Sequence, residues 1–199
     1  MAIKPSEAYV RFDEFEDVLA SVELVALLAP FVREDPQYWK WIIVGAHSAL
    51  QGAMVCAYVD SSGTSILKKQ MKCGGKKPKR PKTPREELAD FEDLLKRCVR
   101  GSHTCEPLVL TNRQRRDIGR LHREFRNNFI HFMPQGWSIE KAVLPRIIAA
   151  ALDAAEALMR RDYVTRLLDV DRQQRLQERV TVALAAARAD LPSNIRASD

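Results

Sequence analysis

Residues 126–134 read RNNFIHFMP, and three of them carry the most chemically suggestive side chains of the chain: Arg126, Asn127 and His131. An imidazole with an unperturbed pKa of about 6.5 takes or gives a proton near neutral pH, so His131 is the candidate general acid or base. Arg126 stays charged throughout that range and suits the stabilisation of negative charge developing on a phosphate. Asn127 is placed to orient the histidine or to bond the phosphate, with Asn128 a lesser candidate for the same work. No metal and no other cofactor is expected. The sequence holds no His-Glu-x-x-His, no Gly-rich phosphate loop and no Gly-x-Ser-x-Gly.

The element that must hold these residues is a helix from about Asn112 to Phe132. Thr111 and Gln114 have the spacing of a capping box at its start, and Pro134 marks its end. With Ile118 at zero and about 100° per residue, Leu121, Phe125, Phe129 and Phe132 fall within about 60° of it and form a buried stripe. On the same wheel Arg126 and His131 diverge by about 140°. One straight helix therefore does not aim both at one phosphate. Either its end unwinds near Pro134, or a second copy of the chain supplies the missing group. The helix also carries Arg113, Arg115, Arg116, Arg120 and Arg123 ahead of Arg126, against only Asp117 and Glu124. Exposed ion pairs on such a face contribute little, whereas a row of guanidinium groups grips nucleic-acid phosphates; Arg113, Arg116, Arg120 and Arg123 are the expected contacts. His47 reads as a core histidine of an apolar helix, and neither His103 nor His122 has company that singles it out.

The rest of the chain reads as scaffold. A net charge of +6 makes a polyanion a plausible partner. The first residues, MAIKPSEAYVRFDEFEDV, lack the apolar core of a signal peptide. The longest uninterrupted apolar stretches, such as LVALLAPFV, are too short to span a bilayer, so a cytoplasmic location without membrane association is expected. Cysteines 56, 73, 98 and 105 form no Cys-x-x-Cys pair and read as scattered reduced thiols.

Ser6 is positioned to cap a first helix that runs to Pro30, with Phe12, Phe15, Leu19, Val22 and Ala26 on its core face. Asp35-Pro36 opens a second helix that is apolar on more than one side, as in the middle of a bundle or at a dimer contact. Thr83-Pro84 opens a third that Gly101 stops. Pro145 begins or kinks a fifth, and a last helix rich in Arg, Gln, Glu and Ala fills about 165–190 at the periphery. No period-two alternation points to strands. The expected fold is all-α: an antiparallel helical bundle of four to five core helices plus a C-terminal helix. Residues 1–165 would form the bundle, with 166–199 a helix and tail packed on the same domain. Within the bundle, residues 61–84 carry eight positive charges and no acid, broken by three glycines and three prolines. They read as a flexible basic insert in which Lys76, Lys77, Lys79 and Arg80 would track phosphates.

The stretch HREFRNNFIHF, followed by GWSIE and another helix, resembles the HEPN superfamily: Arg126 to His131 matches its Arg-x4-6-His motif, and Asn127 its preferred polar residue after the arginine. The resemblance covers roughly residues 5–165. It implies a four- or five-helix bundle that dimerises, with the motifs of two copies facing one another across a cleft. That arrangement would answer the 140° divergence. It also implies a metal-independent endoribonuclease in which the RNA 2′-OH is the nucleophile and the products are a 2′,3′-cyclic phosphate and a 5′-OH. Catalytic roles would fall to Arg126, His131 and Asn127. The setting would be toxin–antitoxin or phage defence, with a cognate antitoxin or regulatory partner. Toxins of the superfamily silenced by nucleotidyl transfer carry a tyrosine two positions after the histidine; here that position is Met133, which argues against such regulation. Two other readings stand beside this one. The first is a catalytically inactive HEPN-like module binding RNA or a nucleotide; the second is a helical protein-interaction module whose arginine face meets an acidic protein.

Overall fold

The computed structural model describes residues 9–10, 12–59, 63–68, 87–102, 105–131, 136–166 and 169–189. The chain is all-α, a bundle of packed helices, and among the described residues the only strand-like feature is one isolated bridge between Leu67 and Leu88.

Helix α1 spans Glu14–Leu28. Its cap is Asp13, whose carboxylate accepts from the backbone N–H of Phe15 and Glu16 at 3.1 and 3.0 Å. This moves the start of the helix inward from the expected Ser6, which lies outside the described residues, and leaves Phe12 before the helix and 66% exposed. The core face is Phe15, Val18, Leu19, Val22 and Val25, with Ala26 half-buried beside it. A 3-10 turn, Ala29–Phe31, takes up Pro30.

Asp35 then folds back on the chain, its carboxylate accepting from Gln37 N–H at 2.8 Å, and α2 runs Tyr38–Tyr58. By length and composition α2 could cross a membrane, but it is mostly buried inside the bundle. Ile42, Ile43, Leu50 and Met54 are fully enclosed, and the helix packs on α1 and on later elements at once. Gly52 makes the α1 contact close: a Cβ there would sit 2.7 Å from Val18 Cγ2.

Helix α3 spans Phe91–Arg100, six residues later than the turn chemistry at Thr83-Pro84 indicates. Residues 87–89 are instead held extended: Lys68 N–H donates to Glu87 C=O and Ala89 N–H to Ile66 C=O, both at 2.8 Å. Lys68 also pairs with Glu87 and Asp90 at 3.4 and 3.3 Å. These contacts close the chain across residues 69–86, which hold most of the basic insert and lie outside the described residues. Gly101 ends α3 at φ 73°, ψ −178°, a conformation open essentially to glycine alone.

The arginine helix begins as α4, Asn112–Arg120, with the expected capping box between Thr111 and Gln114 in place. It continues as a π turn, Leu121–Arg126, and closes with one α turn, α5, Asn127–Ile130. A 3-10 turn, Lys141–Val143, leads to α6, Leu144–Met159, with Pro145 in its first turn. The short α7, Asp162–Thr165, precedes α8, Val170–Ala189. On α8, Leu176, Val180 and Ala183 are buried, while Arg172 reaches Asp13 and Glu16 of the first helix, each at 3.2 Å.

Asp117 does not balance the arginines of its own helix. It is 4% exposed and takes a two-pronged bond from Arg146 of α6, Nε to Oδ2 at 2.9 Å and the second prong to Oδ1 at 3.0 Å. Among the described residues no buried side-chain nitrogen or oxygen is left without a partner, so removing one member here creates such a group. Asp117→Ala is expected to cost about 3 kcal/mol, the low end for a broken buried pair because Arg146 keeps some access to water. Urea denaturation measures it, and a loss below about 1 kcal/mol would contradict the role given to this pair.

Candidate functional site

The π turn shapes the site. The backbone N–H of Asn127 donates to the C=O of His122, five residues back, instead of to the fourth. One residue is thereby added to the turn, and everything after it is rotated by about 100° relative to a straight α-helix. The buried stripe survives at Ile118, Leu121 and Phe125. Phe129 is half-buried and tilted against Trp137 at 4.9 Å; Phe132 lies outside the described residues. The helix ends at Ile130, before Pro134 is reached. His131 N–H still bonds Asn127 C=O at 2.8 Å, but its own backbone has left the helix at φ −105°, ψ 51°. Its side chain is exposed.

Arg126 is half-buried and donates to the Asn127 side-chain oxygen at 3.1 Å. That bond ties together two of the three residues singled out by sequence. The third, His131, stands beyond the helix end, and the imidazoles in the electrostatic reach of Arg126 are His47 and His122.

These two histidines form a hydrogen-bonded pair, His47 Nε2 to His122 Nδ1 at 2.9 Å. Their rings are nearly parallel, and both stack on Phe91 of α3 with centroid distances of 4.4 and 4.5 Å. His47, 2% exposed on α2, is the core histidine that its apolar surroundings indicated. Burial, aided by the positive charge of Arg126 and by its histidine neighbour, holds its pKa down at about 3. His122 is half-buried on the π turn. Burial also lowers its pKa, Glu92 works against that, and Arg126 and Arg123 reinforce it. One unused signal in the sequence could have pointed to His122: on the straight wheel it falls about 40° from Ile118, at the edge of the buried stripe. Its partner is 75 residues away, and no local pattern joins the two.

The arginine face divides. Arg113 and Arg116 project to solvent from the first turns of α4. Arg115 is also exposed, with its Nε donating to Leu110 C=O at 3.4 Å. Arg120 pairs with Glu124 at 3.0 Å and lies over the Phe125 ring, and Arg123 pairs with Glu92 at 2.8 Å. Lys76, Lys77, Lys79 and Arg80 lie outside the described residues, as do His103 and Met133. Among the described residues no group of three or more His, Cys, Asp or Glu side chains could hold a metal ion. Cys56, Cys98 and Cys105 are buried free thiols whose pKa burial pushes up, the reverse of what a reactive cysteine needs.

No protein family, curated protein or solved structure matches this chain. The site has to be read from its chemistry. What it offers is a cation held at the end of a π turn, two imidazoles kept neutral beside it, and a third imidazole exposed at the helix end.

The depressed pKa of His47 makes stability depend on pH. The unfolded imidazole protonates as pH falls through about 6.5, while the folded one resists until about 3, so acid favours unfolding across that interval. His47 alone should remove about 2 kcal/mol between pH 7 and pH 5. In His47→Gln, which keeps a polar partner for His122 but does not titrate, that part of the acid loss should vanish. Urea midpoints of the two proteins at both pH values measure the difference; equal acid losses would refute it.

Proposed function

We propose that this chain is an HEPN-like, metal-independent endoribonuclease. The observation that carries the reading is the placement of Arg126: a half-buried guanidinium bonded to Asn127 at 3.1 Å, at the end of a π turn on a helix whose outer face is lined with arginines. π turns recur at functional sites because they aim a side chain that a regular helix would not. In this reading Arg126 binds the scissile phosphate and stabilises the added negative charge as the 2′-oxygen attacks. His131, exposed where the helix has unwound, exchanges protons with the reacting oxygens. Asn127 restrains the guanidinium, and Arg113 and Arg116 hold flanking phosphates without reading sequence. Two copies of the chain would bring two such motifs to one cleft. The setting in toxin–antitoxin or phage defence, with a cognate antitoxin, belongs to the same proposal.

A second reading, an inactive module binding RNA or a nucleotide, draws on the separation of His131 from the polar cluster at Arg126. The two readings differ in one assay. Labelled single-stranded RNA incubated with the protein in excess EDTA should be cut to fragments ending in a 2′,3′-cyclic phosphate. Arg126→Ala and His131→Ala should each lower the rate by about 100-fold or more while retaining the fold by circular dichroism. Retained RNA binding without cleavage would transfer the proposal to the binding module.

The exposed arginines make a separate prediction. Replacing both Arg113 and Arg116 with alanine should reduce the slope of log affinity against log salt by about 1.4, or about 0.7 for each phosphate of a single strand that is no longer neutralised. An unchanged slope in a salt titration of RNA binding would remove this face from the interface.

A further inference from the structure

The imidazole that shares a turn with Arg126 is His122. Four residues apart on a widened turn, the two project from the same face, and the C=O of His122 is the acceptor that closes the turn at Asn127. Arg126 is close enough for its charge to act on His122 directly. A phosphate held by Arg126 would therefore lie on the face that His122 shares, whereas His131 stands beyond the helix end and His47 is enclosed. We propose that His122 is a second proton-transfer residue of the Arg126 site, oriented by the buried imidazole of His47. The inference rests on the ribonuclease reading and deepens it: strand cleavage through the 2′-OH needs a group that removes a proton and another that supplies one, and a single histidine per copy leaves one role to be filled by a second chain.

The arrangement has the logic of a base steered by a third group. One ring nitrogen of His122, Nδ1, is engaged by His47 Nε2 at 2.9 Å, and the stack on Phe91 fixes the ring plane. The other nitrogen, Nε2, has no hydrogen-bond partner among the described residues, and the side chain is half-buried rather than enclosed. When Nδ1–H donates to His47, Nε2 carries the free lone pair that a base requires. His47 is well suited to accept: enclosed and neutral, it receives the same hydrogen bond before and after His122 becomes charged, with no second charge to bury.

In the reaction, the proton of the 2′-hydroxyl passes to His122 Nε2 as the 2′-oxygen bonds phosphorus. The bond from phosphorus to the 5′-oxygen breaks, and that oxygen takes a proton from the imidazolium of His131. Proton exchange with water then resets both rings. The charged and titratable groups around His122 come from each packed element: Arg126 and Arg123 on the π turn, Glu92 and Asp90 at the start of α3, and the neutral His47 on α2. The arginines favour the neutral base, and Glu92 favours the charged form. The acid limb of the rate profile should therefore follow Glu92: in Glu92→Gln, with a raising influence removed, it should move to lower pH.

The test is a pH–rate series of RNA cleavage in EDTA with wild type, His122→Phe, His122→Ala and Glu92→Gln. Phenylalanine preserves the stack on Phe91 without a nitrogen, so it separates lost chemistry from lost packing; folding is checked by urea denaturation. The expected result is a rate loss of about 100-fold in the folded His122→Phe, partial recovery of His122→Ala by free imidazole, and an acid limb shifted down in Glu92→Gln. A folded His122→Phe that cleaves at the wild-type rate, with His131→Ala inactive, would overturn the role of His122 and leave the ribonuclease reading intact. A His122→Ala that is slow but not rescued, with the acid limb unmoved in Glu92→Gln, would make His122 a packing residue and overturn the proposal as well. No cleavage by wild type would remove the ribonuclease reading and the role of His122 together.

Discussion

The bond between Asp117 and Arg146 sets the geometry on which the site depends. A carboxylate at 4% exposure accepts both prongs of a guanidinium from α6, and such a pair tolerates little rotation because both oxygens and both nitrogens must stay in line. It lies one residue before Ile118 and four before the π turn, so it fixes which way α4 faces just where the helix is about to change pitch. Ile118 and Leu121, both fully buried, then have one orientation available. The side chains from His122 to Ile130 inherit their direction from that anchor and from the single extra residue in the turn.

The widened turn and the histidine pair support one another physically. An i→i+5 turn is a poorer backbone arrangement than a regular one and persists where surrounding contacts specify it. Here those contacts are the His47–His122 hydrogen bond, the stack of both rings on Phe91, and Phe125 in the core. Two neutral imidazoles are well fitted to this place. They can share a hydrogen bond within the bundle without the cost of burying a charge, and the nearby Arg126 makes protonation still less favourable. The outcome is a site whose fixed charge is positive and whose two paired imidazoles, His47 and His122, stay neutral near physiological pH, an environment that favours an anionic ligand over a cationic one.

Local signals are legible where they act over one turn. The Thr111–Gln114 capping box, the glycine stop at Gly101, Pro145 at the head of α6 and the two-sided apolar character of α2 all appear at the residues whose chemistry announces them. The start of α1 differs from the expected one because Ser6 and Asp13 are both acceptable caps, and the choice falls to Asp13, which accepts two backbone bonds and also meets Arg172 of α8. The start of α3 differs because residues 87–89 are drawn into an extended pairing with 66–68. That pairing reaches across residues 69–86, so the residues that would have continued the helix upstream have a competing partner no local window contains.

The amino-acid sequence by itself determined the helical class, most of the caps, the arginine-rich face and the candidates Arg126, Asn127 and His131, because propensity, capping and charge act between neighbours a few residues apart. Only the tertiary structure decided that Asp117 belongs to Arg146, that the helix widens at 121–126, and that His122 pairs with His47 within the electrostatic reach of Arg126. Those contacts join residues 29 and 75 positions apart through the packing of α2, α3 and α6 around one turn. A periodic reading assumes a constant pitch, and a single extra residue in that turn is enough to redirect all that follow.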